Sequence, residues 1–375
     1  MNVIVGDCRT ELAGVLDGSI DSIVTDPPYE LGFMGKKWDA SGVAYDPRLW
    51  AECFRVLKPG GHLLSFGGAR TYHRMAVAIE DAGFEIRDSL HWTYGTGFPK
   101  SHNVSKALDK LGADGANQWD GWGTALKPSH EPIVMARKPI TQTVAKNVLE
   151  HGTGALNIDA CRVGSETRVN PPRRTSDGTP PLGGGCTSTE STTATGRWPA
   201  NTVLTHSPAC TDTCTDNCPV NQLDHQSGTS RPKAGRQGKK GGNGGALGAF
   251  AGSSADAEGN WPADPGGGAS RFFTVTDWDH TIYCAKPSKK ERNAGLDGTN
   301  VHPTVKPVEL MRHLIRLVTP PGGIVLDPFL GSGTTAVAAI LEGIDWIGCE
   351  ITDEYLQIID ARVKWAKDTY RLENR

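Results

Sequence analysis

Ile324-Val325-Leu326-Asp327-Pro328-Phe329-Leu330-Gly331-Ser332-Gly333-Thr334-Thr335 reads as a short apolar strand, a glycine turn and the start of a helix. Gly331 and Gly333 let the backbone approach a ligand closely, and the helix start offers N–H groups without partners inside the helix. The helix is expected over 334–342 and a strand over 346–349, ending at Glu350, 19 positions after Gly331, where an acid can hold ribose hydroxyls. Upstream, 307–318 carries Leu310, Leu314 and Leu317 at helical spacing, and a last helix begins near Asp353. At the other end of the chain, 2–5 and 20–25 read as buried strands, 46–57 as a helix, 62–66 as a strand and 71–82 as a helix. This alternation predicts an α/β fold with a parallel sheet flanked by helices. Gly331, Gly333 and Ala336 also satisfy the G-x-G-x-x-A dinucleotide fingerprint. A nicotinamide-dependent oxidoreductase is therefore the chemical rival. It is disfavoured by the loop's place late in the chain and by a second motif that such an enzyme does not need.

That motif is Asp26-Pro27-Pro28-Tyr29, directly after the strand 20–25. Two prolines cannot donate to a ladder, so the strand ends there. The corner places a carboxylate, a carbonyl and an aromatic ring at the carboxyl end of a sheet strand, where ligand sites of α/β proteins form. An exocyclic base amine has two hydrogens and needs two acceptors at fixed angles, which the Asp26 carboxylate and the Pro27 carbonyl provide. Pro28 stiffens the corner and Tyr29 offers a stacking face. Such chemistry is positioning plus electrostatics for an in-line displacement, without a covalent enzyme intermediate.

With both motifs in this order, the chain resembles the amino-methylating DNA methyltransferases of the β arrangement, in which the catalytic motif comes first and the S-adenosylmethionine motif last. The resemblance implies a Rossmann-like S-adenosylmethionine-dependent methyltransferase sheet with an inserted irregular target-recognition region. Its halves would be 1–162 (catalytic) and 271–375 (cofactor-binding), with the insert at 163–270. It also implies that Asp7 contacts the cofactor adenine, that Lys306 in Asn300–Pro307 helps enclose the methionine end, and that Phe329 lies against the cofactor. Asp327, Gly331, Ser332, Gly333 and Thr334 would then form the cofactor loop, and Glu350 would take the ribose. Leu31–Asp39 resembles the family's mobile loop after the catalytic motif. Members with Asp first mostly methylate adenine N6 and those with Ser first mostly cytosine N4, so Asp26 favours adenine, with cytosine N4 as the alternative. An RNA or protein amide methyltransferase is a further rival, usually with Asn first and the cofactor loop ahead of the corner. A catalytically silent DNA-binding protein on this fold is another.

The bulk composition is ordinary and its charge balance does not by itself point to nucleic acid, although 231–240 carries Arg231, Lys233, Arg236, Lys239 and Lys240 with no acid among them, and such a local stripe suffices for phosphate contact. The net charge is -3, with 37% hydrophobic and 22% charged residues. No apolar run approaches about 18 residues, and the first residues lack a basic stretch followed by an apolar one. A cytoplasmic protein with reduced or metal-bound cysteines is therefore expected. Between 163 and 270 there are 19 glycines and little periodicity, so loops are expected there. Arg173, Arg174, Arg197, Arg231, Arg236 and Lys239 of this region suit phosphates or guanine edges of double-stranded DNA. His206, Cys210, Cys214 and Cys218, spaced H-x3-C-x3-C-x3-C, could close a structural zinc tetrahedron. Cys161, Cys284 and Cys349 have apolar neighbours and read as core. His91, Trp92, Tyr94 and Phe98, followed by Lys100, line the base pocket or belong to the sheet core; the pocket is the reading taken. A homodimer is compatible with the sequence, and no nuclease partner is inferable from it.

Overall fold

Adjacent side chains of the central strands point to opposite faces: Ile23, Leu63 and Leu326 enter one apolar cluster, Val24, Leu64 and Val325 the other. The structure, a computed structural model, describes residues 2–32, 37–94, 99, 101–170, 192–204, 210, 213–216, 218–228, 268–269, 274–275 and 287–373. Its strands are β1 (Val3–Val5), β2 (Ile20–Thr25), β3 (Leu57–Phe66), β4 (Glu85–Thr93), β5 (His130–Arg137), β6 (Val163–Asn170), β7 (Thr192–Arg197), β8 (Thr202–Leu204), β9 (Thr274–Val275), β10 (Ile324–Asp327) and β11 (Asp345–Glu350). Its helices are α1 (Cys8–Glu11), α2 (Pro47–Val56), α3 (Tyr72–Asp81), α4 (Val104–Lys110), α5 (Val144–His151), α6 (Pro219–Ser227), α7 (Lys289–Arg292), α8 (Val308–Val318), α9 (Thr334–Leu341) and α10 (Asp353–Glu373). Among the described residues, nine strands form one sheet in the order β1-β11-β10-β2-β3-β5-β4-β8-β9, and β6 and β7 pair separately.

The helices cover both faces, giving the three layers of an α/β fold. Leu49, Trp50 and Cys53 of α2 and Met75 and Ile79 of α3 pack on one face. Leu310, Leu314 and Ile315 of α8, with Ala336, Ala338 and Ala339 of α9, pack on the other. Each fully buried Leu or Ile contributes about 1.5–3 kcal/mol. Pro307 is the N-cap of α8 rather than a residue of its first turn. No helix among the described residues is long and apolar enough to cross a membrane.

Two details depart from the sequence expectation. The sheet is not wholly parallel, because β5 runs antiparallel to both β3 and β4. The chain leaves β4 and re-enters β5 at the same edge, with Thr93 opposite His130 and the Tyr94 amide donating to the Ser129 carbonyl (2.9 Å). A return without a crossover has to reverse direction. In addition, β3 begins at Leu57, directly after α2, instead of at His62; Leu57 pairs with Ile20 and a register shift absorbs the Pro59-Gly60-Gly61 stretch.

The parallel neighbours β1, β11, β10 and β2 all end at one edge of the sheet. That edge carries Asp7, Glu350, the Asp327–Gly333 loop and Asp26 side by side, which is where an α/β sheet opens a ligand crevice.

Candidate active site

At the corner after β2, the Lys306 ammonium donates to Asp26 Oδ2 at 2.5 Å, with the two side chains 8% and 18% exposed. Asp26 Oδ1 is buried and has no hydrogen-bond partner among the described residues. Burial pushes the Asp26 carboxyl up, against the pull of Lys306. Burial works against the Lys306 charge too, but the carboxylates of Asp26 and Glu131 outweigh it and hold the ammonium protonated. Lys306 Nζ also lies 3.5 Å from Glu131 Oε2 and about 5 Å from the ring centres of Tyr29 (5.2 Å) and Phe66 (5.0 Å), within cation–π range.

Glu131, on β5, is the hub that holds the aromatic side of this corner. It accepts hydrogen bonds from the hydroxyls of Tyr29 (2.7 Å) and Tyr94 (3.3 Å). Burial and the neighbouring carboxylates keep the Tyr29 hydroxyl protonated. Pro28 and Tyr29 also line a small open hollow together with Tyr45, Thr71 and Tyr72. Glu30, next in the chain, adopts φ +55°. This left-handed backbone is unusual for a side-chain-bearing residue, and it turns the Glu30 carboxylate onto the Gly42 amide at 2.8 Å. The chain returns at Asp39, which accepts from the amides of Glu30 (3.0 Å) and Leu31 (3.3 Å).

On the neighbouring strand, Asp327 fastens the glycine loop to the corner. Its carboxylate accepts from Thr25 Oγ1 at 2.6 Å, Thr335 Oγ1 at 2.5 Å and the Phe329 amide at 3.0 Å. Burial raises its pKa to about 6. Glu350 Oε2 accepts from the Gly331 amide at 2.7 Å and Oε1 from the Thr352 amide at 2.8 Å; burial raises this carboxyl as well. Gly331 (φ +54°) and Gly333 (φ +79°) both sit in left-handed conformation. A Cβ at 331 would meet His302 Nε2 at 2.8 Å, so the ring closes that side of the loop. His302 stacks edge-on against Tyr355 (4.7 Å), and burial with the Lys306 charge lowers its pKa to about 3, which leaves it neutral. The segment from Asn300 to Lys306 is pinned by α7: the Asn300 side-chain amide donates to the Arg292 carbonyl (2.9 Å), and Arg292 Nη2 donates to the His302 carbonyl (2.5 Å).

The structure thus brings Asp26, Tyr29 and Lys306 into one network and sets it beside Asp327, Gly331, Gly333 and Glu350. Lys306, expected from the resemblance at the methionine end, spends its charge on Asp26. Asp7 caps α1, taking the Arg9 amide at 3.0 Å and pairing with the Arg9 guanidinium at 2.5 Å, which holds its carboxyl below the usual range. It stands next to Glu350, whose carbonyl takes the Gly6 amide at 2.9 Å. Phe329 is half-buried and packs against the cluster of α1–α3. Ser332 and Thr334 face Arg362 of α10, whose Nη1 donates to the Ser332 carbonyl (2.7 Å), Ser332 Oγ (2.9 Å) and Thr334 Oγ1 (3.0 Å).

Arg362 and Glu131 escaped the sequence reading. Arg362 is one charge within the amphipathic pattern of α10 and Glu131 stands at the start of the apolar run of β5, and only the completed fold shows what each faces. Trp92 corrects the pocket reading: it is 1% exposed and packs edge-on against Phe66 in the sheet core. Near the end of β4 it is flanked by β5 and β8, pairing with Glu131 and Val203, and it packs in the core cluster with Phe66, which leaves it no open face. Tyr94 reaches the site through Glu131. Cys161 and Cys349 are buried as expected, and Cys284 lies outside the described residues. So do Phe98, Lys100, Arg173, Arg174, Arg231, Arg236, Lys239 and His206. The sulfurs of Cys210, Cys214 and Cys218 lie within 4.8 Å of one another.

A sequence profile described as DNA methylase, of N6/N4 type, matches residues 20–361. Type II methyltransferase M.HindIII of Haemophilus influenzae is 36% identical over 110 residues, which make up 28% of this chain and 36% of that protein. DNA adenine methyltransferase YhdJ of Escherichia coli is 46% identical over 63 residues, 17% of this chain and 21% of that one. The matched stretches therefore span little more than a third of these relatives at most. The solved PvuII DNA methyltransferase, cytosine-N4-specific, superposes with a TM-score of 0.43 at 13% identity, covering 98% of this chain and 90% of that one. A likeness that loose places no residue.

Proposed function

We propose, from the premise that this chain belongs to the DNA methylase family, that it methylates the N6 amine of an adenine extruded from double-stranded DNA, with S-adenosylmethionine as donor. The observation that carries the reading is the buried, unpartnered Asp26 Oδ1. Leaving a buried acceptor unsatisfied costs about 1–3 kcal/mol, and an amine hydrogen of the target base removes that cost. Asp26 and the Pro27 carbonyl then orient the amine, and Tyr29, locked by Glu131, offers the stacking face. Extrusion of the base costs a few kcal/mol, offset in part by these contacts.

The residues at the strand ends suit the cofactor. Gly331 allows an approach that a side chain would block, and Glu350 and Asp7 supply carboxylates at the adjacent strand ends for the ribose and the adenine amine. Asp327 and Arg362 hold the loop in shape from below. When bound, S-adenosylmethionine supplies the sulfonium methyl. Asp26 orients the amine nitrogen during the displacement, and Oδ1 is placed to take the proton that nitrogen then releases; its upward-shifted pKa suits that task. Residues 163–270 are assigned to target recognition.

Adenine is favoured by the Asp-first corner and by the E. coli relative named as an adenine methyltransferase. The test is transfer of labelled methyl from S-adenosylmethionine to duplex DNA, followed by digestion to nucleosides and mass spectrometry. N6-methyladenine is expected. N4-methylcytosine would overturn the choice of base, and methyl appearing only in RNA or protein would overturn the substrate class. Asp26→Ala should abolish transfer while leaving cofactor binding intact.

A further inference from the structure

We propose that Cys210, Cys214 and Cys218 form a zinc site that clips the inserted region to the edge of the main sheet. Their three sulfurs lie within 4.8 Å of one another. A tetrahedral zinc with Zn–S distances of about 2.3 Å needs sulfurs about 3.8 Å apart, so small side-chain rotations close the three around an ion. The thiols lie between two elements: Cys218 is the N-cap of α6, and β8, the strand hydrogen-bonded to β4, meets them through Leu204. Leu204 at the end of β8 and Val220 and Leu223 on α6 pack against them as a small satellite cluster. A cluster of that size cannot by itself repay the ordering of the segment that connects it, whereas metal binding can. The Thr215 amide points at Cys210 Sγ (3.4 Å), the kind of N–H···S contact that orients a metal thiolate.

On binding, each thiol releases its proton to solvent and donates its thiolate lone pair; no electron is transferred. An all-sulfur set of this geometry selects zinc or an iron–sulfur cluster, and clusters generally take four cysteines. Three cysteines therefore favour zinc, with the fourth position taken by another donor. The site plays no part in methyl transfer, so its failure and that of the methyltransferase reading are distinguishable.

The test uses the full chain, expressed without a polyhistidine tag in zinc-supplemented medium and passed over a desalting column with EDTA. Elemental analysis should find about one zinc per chain, released when a mercurial titrates the thiols. Cobalt(II) added to metal-stripped protein should give intense sulfur-to-cobalt charge-transfer absorption. Cys214→Ser should lower bound zinc at least about tenfold. If that variant misfolds, the cobalt spectrum of the unaltered chain decides. The proposal is overturned by a chain that holds no zinc and gives no charge-transfer band, by iron in its place, or by a disulfide between two of the three cysteines.

Discussion

Lys306→Met removes the ammonium that neutralises Asp26 and keeps much of the stem's volume. At 2.5 Å and an effective dielectric constant of about 20, the pair's Coulomb energy is about 7 kcal/mol. Most of that is offset by desolvating the two charges, and breaking one side of a buried pair typically costs about 3–5 kcal/mol. At about 2.1 cal/mol/K per residue, a 375-residue chain loses about 0.8 kcal/mol per degree near its midpoint, so Tm should fall by about 4–6 °C. The deficit should depend on pH. Burial already raises the Asp26 carboxyl, and without Lys306 its main opposing influence is gone, leaving only the smaller one of Tyr29. A carboxyl whose pKa is higher folded than unfolded stabilises the fold while protonated, and that contribution is lost as pH rises through the folded value. The variant should therefore be closest to wild type under acid conditions and fall behind as pH rises. Methyl transfer should move the opposite way, because the ionised carboxylate is the stronger acceptor and only it can take the proton that the amine releases. Scanning calorimetry and labelled-methyl transfer, both from about pH 5 to 8, read the two trends. A variant whose Tm tracks the wild type across that range would refute the reasoning.

Gly331→Ala combines a left-handed backbone, which costs about 1–2 kcal/mol for a residue with a Cβ, with a close contact to the His302 ring. Cofactor affinity measured by titration calorimetry should fall about 5–30-fold, and an unchanged Kd would separate the loop from the cofactor. Glu131→Gln retains one acceptor oxygen where both tyrosine hydroxyls now have one each. It should lower kcat about tenfold or more by loosening Tyr29 while cofactor affinity holds; a loss of affinity alone would contradict this. Glu291 caps α8 through the Val308 amide at 2.7 Å, and burial raises its pKa to about 7. Its raised carboxyl stabilises the fold most below its unfolded pKa of 4.5, and that contribution disappears as pH climbs through about 7. Glu291→Gln should flatten this part of the stability profile, and an unaltered profile would exclude Glu291 as its source.

Local sequence reached far into this protein. The apolar runs 20–25 and 324–326, each ended by a proline corner or a glycine turn, were legible as strands leading to Asp26 and Gly331. Periodicity marked α2, α3 and α8, because the 3.6-residue repeat of a helix and the two-residue repeat of a strand are local properties of the chain. That Asp26 and Gly331 lie at neighbouring strand ends follows from the pairing of β2 with β10, which neither motif states by itself.

Other features depend on which strand lies beside which. The reversal of β5 places Glu131 between Tyr29 and Tyr94, residues separated from it by 102 and 37 positions. The packing of α10 buries Arg362 under the glycine loop, and the segment before α8 carries Lys306 across 280 positions to Asp26. Trp92 became core instead of pocket for the same reason. The identity of a segment is written in nearby residues, but the energy of a buried charge is set by whatever partner and dielectric the completed fold puts around it, and neither exists until the chain has closed on itself.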